Sequence, residues 1–189
     1  MLSLSVKNVP GFSGTTPGSA DLRLPDTIDL GLYKRFNEQW AVMAGARWTQ
    51  WSRFDELRIS FADGRPDEVT QENWNDSWAF SLGASYDYQP SWTFRVGYAY
   101  DQTPIPSPEY RTPRIPTNSR QWLSVGASYR PNRNLSLDVG YAHLFFQDAT
   151  LVNTITLAHT PTLVVTDTLQ GNYNSSSADI VGVQFSWSF

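Results

Sequence analysis

Cysteine is absent from the 189 residues, which excludes disulfides, thiol nucleophiles and cysteine-bound zinc. Histidine occurs only as His143 and His159, too few ligands for a metal centre, and no metal is expected. Lysine is equally scarce, at Lys7 and Lys34, and the net charge is -4 with no basic cluster, so nucleic acid is not an expected partner. No run of 18 apolar residues exists, which excludes a transmembrane helix. Residues 1–12 show neither the cationic start nor the apolar stretch of a signal peptide. G-x-S-x-G, Walker, H-E-x-x-H and calcium-loop motifs are all missing, so no catalytic residue and no cofactor is expected. What the chain has in excess is aromatic: 14% Phe, Trp and Tyr, with 8 Trp, at a mean hydropathy of -0.39.

The aromatics fall into a period of two, the signature of strands. Trp78, Phe80, Leu82, Ala84, Tyr86 and Tyr88 alternate with Ala79, Ser81, Gly83, Ser85 and Asp87; Trp92, Phe94, Val96, Tyr98 and Tyr100 continue the pattern. The same alternation predicts seven strands at about 26–36, 40–51, 77–88, 92–101, 121–130, 135–146 and 178–189, with an eighth, weaker one around Ser19–Leu24. Each has roughly the ~9–11 residues that a tilted strand needs to cross a bilayer. Connections at 37–39, 89–91 and 131–134 are short; those at about 52–76, 102–120 and 147–177 are long. The expected fold is therefore all-β: one antiparallel, up-and-down transmembrane β-barrel domain over residues 1–189, partial in strand number, with short turns on one rim and long extracellular-type loops on the other.

Two features favour lipid outside the sheet. Aromatics sit at strand ends: Phe36, Trp40, Tyr88, Trp92, Tyr129 and Phe189 on one rim, and Trp48, Trp51, Trp78, Tyr100, Trp122 and Phe145 on the other, as two interfacial girdles would. The opposite face is not an ordinary wet face, because none of the five Glu lies in any of these seven strands. It carries instead one glycine per strand, at Gly31, Gly45, Gly83, Gly97, Gly126, Gly140 and Gly182. These either let the sheet curl or leave room for a plug or ligand. Arg35, Arg47, Arg95 and Arg130 share that face with Asp29, Asp87, Asp101 and Asp138, numbers that suggest mutual pairing or a site for a substrate carboxylate. Lys34, on the apolar face near the short-turn rim, can snorkel to the interface. Pro104, Pro106, Pro108, Pro113 and Pro116 stiffen one long loop, as a rigid surface segment or as a wall where ligand comes in.

Several short motifs carry a resemblance. Leu24-Pro25-Asp26-Thr27, the run Trp48 to Leu57 (WTQWSRFDEL), Tyr100 to Pro106 (YDQTPIP), Arg111 to Pro116 (RTPRIP), Gln121-Trp122-Leu123-Ser124, Gly140-Tyr141-Ala142-His143 and the terminal Phe189 together resemble the C-terminal part of FadL/TodX-type outer-membrane transporters. That resemblance implies a 14-stranded barrel plugged by an N-terminal hatch, of which about half the strands are here. It implies capture of long-chain fatty acids or other hydrophobic compounds at the loops, passage through a lumen pocket and sideways release. It implies outer-membrane lipid as a partner, and the barrel insertion machinery as another, engaged through Phe189. The family's basic residue for the ligand carboxylate falls in the loop 52–76, where this chain has Thr70. Arg58 or Arg65 could substitute; Arg47 and Arg95 are the lumen candidates, and an uncharged hydrocarbon fits as well.

Three function classes follow: a component of a hydrophobic-compound transporter, a small closed eight-stranded barrel with a structural or adhesive role, and an outer-membrane enzyme using His143. The motifs favour the first. His143 reads as a rim histidine, and the chain is not expected to be an enzyme.

Overall fold

The computed structural model describes residues 3–9, 12–64, 66–113, 118–160 and 163–189. The period-two segments form one seven-stranded sheet: β3 (Thr27–Arg35), β4 (Trp40–Thr49), β7 (Ser77–Gln89), β8 (Trp92–Asp101), β9 (Arg120–Asn132), β10 (Leu135–Phe146) and β13 (Ser177–Trp187). Its order is β13-β10-β9-β8-β7-β4-β3, antiparallel throughout, so strands that follow one another through this sheet are neighbours in it. The short turns are held by their own polar residues. Asn37 Oδ1 accepts from the N–H groups of Gln39 and Trp40 at 2.9 and 2.8 Å, and Asn132 Oδ1 accepts from Asn134 N–H at 3.0 Å. Asparagine at such positions caps the turn that a strand cannot continue through.

The long connections depart from the expectation of plain loops. Residues 52–76 hold β5 (Glu56–Phe61) and β6 (Glu68–Gln71), which join β1 (Ser3–Val9) and β2 (Phe12–Ala20) in a second sheet ordered β1-β2-β5-β6. Residues 147–177 form a hairpin of β11 (Ala149–Thr160) and β12 (Leu163–Tyr173). The weak strand placed around Ser19–Leu24 is displaced. Strand β2 ends at Ala20, pairs with β5 through Gly18–Phe61, Ser19–Ser60 and Ala20–Ile59, and residues 21–26 have no regular structure. Leu22 and Leu24 alternate for too short a stretch before Pro25 to make a ladder. No eighth strand closes the main sheet among the described residues: β3 and β13 are both edges.

The register sorts the side chains as the alternation requires. All seven strand glycines fall on one face, since Gly31 faces Gly45, Gly83 faces Gly97, and Gly126 and Gly182 flank Gly140. Trp78, Phe80, Leu82, Trp92, Phe94 and Val96 fall on the other, with Leu82 59% and Val96 56% exposed. An apolar face this open is untenable in water and natural against hydrocarbon. Lys34 lies with its ammonium 5.6 Å from the Phe36 ring at the short-turn rim, reaching toward the interface. Two of the twelve rim aromatics are not girdle residues. Trp122 pairs with Ala99 and Leu144 on the glycine face, because strand β9 puts Leu123 and Val125 outward instead. Trp51 sits in a short 3-10 turn, Trp51–Arg53, and packs edge-on against Trp74 at 5.0 Å.

The glycines have unequal reasons. A Cβ on Gly45 would stand 2.7 Å from Ser81 Oγ, and one on Gly97 2.7 Å from Ser124 Oγ, so a serine of the next strand fills each gap. A Cβ on Gly126 would meet the Val139 carbonyl oxygen at 3.3 Å, a backbone atom that cannot rotate away; at Gly140 the nearest atom, Val125 O, is 3.9 Å off. Gly126→Ala should therefore lower barrel stability, by about 1 kcal/mol. Gly140→Ala should be neutral or stabilise by up to ~1 kcal/mol through the unfolded chain. Thermal midpoints of the folded, heat-modifiable form measure both; equal shifts would contradict the close contact at Gly126.

Candidate functional site

The glycine face is organised in horizontal rows set by the register. Near the long-loop rim runs Arg47, Ala79, Asp101, Arg120 and Phe146, each opposite the next, with Asp29 opposite Arg47. Here Arg47 Nε donates to Asp29 at 2.6 Å, and Arg120 Nη2 to Asp101 at 2.5 Å. Nearer the short turns lies a second charged belt. Arg35 Nη2 donates to Asp87 at 3.0 Å, Thr93 Oγ1 donates to Asp87 at 2.7 Å, and Arg130 stands 3.9 Å from Asp138. Arg95 Nη1 donates to Ser128 Oγ at 2.6 Å, and the fully buried Ser128 hydroxyl in turn donates to Asp138. These exposed and half-exposed pairs contribute little stability singly, but they fix long side chains in place across the strands.

Between the belts the face is almost featureless. One row reads Gly31, Gly45, Ser81, Ala99, Trp122, Leu144 and Ala178; the next reads Tyr33, Met43, Gly83, Gly97, Ser124, Ala142 and Ile180. The half over β4, β7 and β8 is mostly small; the half over β9, β10 and β13 is apolar. From Arg95 to Asp101 the strand rises six residues, about 20 Å at ~3.4 Å per residue.

The four arginines singled out from the sequence separate here. Arg47 is committed to Asp29. Arg58, on β5, is held by Glu56 at 2.8 Å and Asp67 at 3.2 Å, and with Gln71 it keeps the Glu56 carboxyl below its usual range. Arg65 lies outside the described residues, as do Pro116 and the rest of residues 114–117. Arg95 makes no direct ion pair among the described residues; it is linked to Asp138 through the Ser128 hydroxyl, and its charge acts on both Asp87 and Asp138. Thr70, opposite Leu57 in the β5–β6 hairpin, supplies no cation to that loop. Sequence reading missed Arg120, placed just before its expected strand, and Ser128, whose role as a relay between Arg95 and Asp138 is visible only once three strands are in register. Trp122 was visible but assigned to the wrong face.

His143 sits on the apolar face. Its Nδ1 is 2.7 Å from Asp179 Oδ1, Tyr141 OH donates to the same oxygen at 2.6 Å, and the Phe145 ring lies edge-on at 4.3 Å. This cluster ties β10 to β13 at the long-loop rim. An apolar crevice of about 310 Å³, lined by Ile28, Leu30, Ala46, Trp48 and Trp78, is also on this outer face and is not part of the lumen side.

The long connections are anchored. Ile105, Ala149 and Leu151 are each buried, the turn Pro108–Tyr110 of the proline-rich loop packs against β11, and Arg111 donates to the Thr150 carbonyl at 2.5 Å; burial lowers the Arg111 pKa. Asn118 Nδ2 donates to the Asp148 carbonyl at 2.6 Å. At the base of 52–76, Trp51 and Phe54 both pack edge-on against buried Trp74, at 5.0 and 5.1 Å. Glu72 is buried beside them, and desolvation pushes its carboxyl above the ordinary range.

Residues 4–189 match the family described as outer membrane protein transport protein (OMPP1/FadL/TodX). The chain is 38% identical over 142 residues to a 47 kDa outer membrane protein of Pasteurella multocida, covering 75% of this chain and 33% of that protein. It is 37% identical over 136 residues to a long-chain fatty acid transport protein of Escherichia coli, covering 72% of this chain and 30% of that protein. The solved structure of a Pseudomonas aeruginosa FadL homologue superposes with a TM-score of 0.70 at 30% identity, over 89% of this chain and 36% of that one. The chain thus spans about a third of the length of the relatives it matches. Its seven-stranded sheet is the wall of an outer-membrane β-barrel, with the apolar face to lipid and the glycine face to the lumen.

An acid raised in the folded state is favoured there when protonated. The contribution of Glu72 to the loop base is therefore best below the unfolded Glu value of about 4.3 and worsens as pH rises through its higher folded value. Glu72→Gln should slow proteolysis of segment 52–76 at pH 7 and flatten its pH dependence. Faster cleavage of the Gln variant at pH 7 would reverse that sign.

Proposed function

The chain belongs to the outer-membrane transport protein family of OMPP1, FadL and TodX, and from that premise we propose that it forms the C-terminal lumen wall of a barrel carrying long-chain fatty acids or other hydrophobic compounds across the outer membrane. The observation that supports this is the low, uncharged zone between the two charged belts. A water-filled pore would be lined by polar groups throughout. Here every described charge on the lumen face is confined to the upper or lower belt, and the rows between offer Gly, Ala, Ser, Met, Trp, Leu, Tyr and Ile. An apolar solute can lie there without desolvating an ion, which is the costly step in moving such a molecule past a charged wall. The name of the E. coli relative, a long-chain fatty acid transport protein, supports this reading; that of the P. multocida relative supports its outer-membrane part.

Uptake of labelled oleate and labelled toluene into cells that lack other such transporters tests it. Uptake should be saturable, and Ala142→Arg, which puts a cation into the uncharged zone, should lower both several-fold while the protein stays folded in the membrane. Unchanged uptake by the Arg variant would remove the zone from the path.

We also propose that the last strand addresses the insertion machinery. The segment Val181–Phe189 alternates without interruption, and Trp187 and the fully exposed Phe189 present their rings 6.4 Å apart at its end. Deleting Phe189 should reduce membrane insertion far more than Val183→Leu on the lipid-facing side; equal insertion of the two refutes the idea.

A further inference from the structure

The lipid-facing side of the sheet is not level. Strand β4 presents Trp40, Val42, Ala44, Ala46 and Trp48 there, and among the described spanning strands it alone has two consecutive alanines on that face. The register sets larger side chains on both sides of them. Ala44 lies between Leu32 and Leu82, and Ala46 between Leu30 and Phe80; these four are exposed and the alanines half-buried. Two methyl groups among four large side chains make the floor of a trough two strand spacings wide, ~10 Å from β3 to β7. Toward the long loops it deepens into the crevice of about 310 Å³ lined by Ile28, Leu30, Ala46, Trp48 and Trp78. Trp48, set between Ile28 and Trp78, closes that end.

The two ends of the trough differ in charge. At the short-turn end its floor is Val42, flanked by Ala84 and Lys34. Lys34 is the one lysine or arginine on the lipid-facing side of the seven described strands, and it makes no ion pair among the described residues. Its ammonium lies over Phe36, and Trp40 and Tyr86, with rings 4.6 Å apart, form the next row toward the turns. Beyond the long-loop end stand two aspartates, Asp26 and Asp76, with one arginine, Arg53, already held by Asp26. An anion is therefore attracted to the Lys34 end and not to the other. From Lys34 to Ile28 is six residues, ~20 Å at ~3.4 Å per residue, room for a long acyl chain to lie extended along the strand.

We propose that the outer wall binds one anionic phospholipid of the leaflet at the short-turn rim, its phosphate at Lys34 and one acyl chain along the alanine floor of β4 to the crevice at Trp48. A lysine that snorkels to the interface places its charge at headgroup level, where the phosphate is. The chain covers the apolar trough that the protein's own side chains leave unfilled. The site is independent of what the lumen carries.

The test uses the whole folded protein as its cells produce it, in detergent of neutral headgroup, with lipid binding titrated by native mass spectrometry. The probes are dipalmitoyl phosphatidylglycerol and dipalmitoylglycerol, which lacks the phosphate. The wild type should retain one phosphatidylglycerol more tightly than dipalmitoylglycerol. Lys34→Gln should weaken phosphatidylglycerol about fivefold, the attraction of one cation at an anionic surface, and leave dipalmitoylglycerol unchanged; Lys34→Arg should keep the preference. Ala46→Phe, which fills the floor, should weaken both probes, whereas Val183→Phe, on the same face of β13, should weaken neither. Equal retention of the two probes by the wild type overturns the proposal, as does a Lys34→Gln variant that keeps the preference. Equal effects of the two Phe variants overturn it as well, because the lipid would then be unlocalised. Lipopolysaccharide retained in place of phosphatidylglycerol and lost in Ala46→Phe would mean that the crevice is filled from the opposite leaflet. A mass of two chains lost in Ala46→Phe would mean that a second copy covers it. Either result replaces the phospholipid.

Discussion

Every peptide group that crosses hydrocarbon must find its hydrogen-bond partner within the protein, because lipid offers none and each unmade bond costs several kcal/mol. The architecture follows from that constraint. Strands β3, β4, β7, β8, β9, β10 and β13 satisfy one another in chain order, through short turns at 36–39, 90–91 and 133–134. The same constraint makes the edges of β3 and β13 the most costly features of the sheet. Only alternate residues of an edge point their groups outward, yet even so an open edge about ten residues long leaves a deficit comparable to the ~5–15 kcal/mol that holds an ordinary domain together. Barrels of this family remove the deficit by closure, and the matched relatives are more than twice as long as this chain.

Pairing the backbone also decides where charge can go. With one face given to lipid, the strands place their ionic groups on the other everywhere but at the rims, where Lys34 and Asp179 stand, and on that face the neighbouring strand is only ~4.8 Å away. Arginine and aspartate side chains then neutralise each other across strands: Arg47 with Asp29, Arg120 with Asp101, Arg35 with Asp87. Lysine hardly appears. A planar guanidinium can hold a carboxylate and a hydroxyl or carbonyl at once, as Arg35 does with Asp87 and the Glu38 carbonyl, whereas an ammonium is a more strongly hydrated point charge.

What the sequence revealed and what it concealed divide along the same line. The seven spanning strands were legible, within a few residues at every end, because a strand between lipid and lumen must alternate. The hairpins β5–β6 and β11–β12 were not, because outside the membrane nothing forces alternation: segments such as Thr154-Ile155-Thr156 and Thr166-Asp167-Thr168 are strand-prone by β-branching but carry no two-sided pattern. Trp122 shows the opposite failure. Its place at a strand end fitted the girdle rule, but parity outranks position, and Leu123 and Val125 already occupied the lipid side. Of the site, the lumen-facing charges could be named in advance and their partners could not, since pairing depends on register between strands up to 52 residues apart, as for Arg35 and Asp87.

That dependence on register makes the charge balance informative. An ion in a confined, partly dry space is held by the counter-charges and hydrogen bonds that the wall itself supplies. Placing Arg120 one position before the expected start of β9 turns an apparent four-to-four balance into five to four, with Asp101 taken by Arg120 and not shared with Arg95. The surplus cation then falls at the boundary between the lower belt and the uncharged zone, oriented by a serine with no solvent contact of its own. The buried Ser128 hydroxyl accepts from Arg95 and donates to Asp138, so it ties that fifth cation to the lower belt across three strands and leaves the rows above it free of charge.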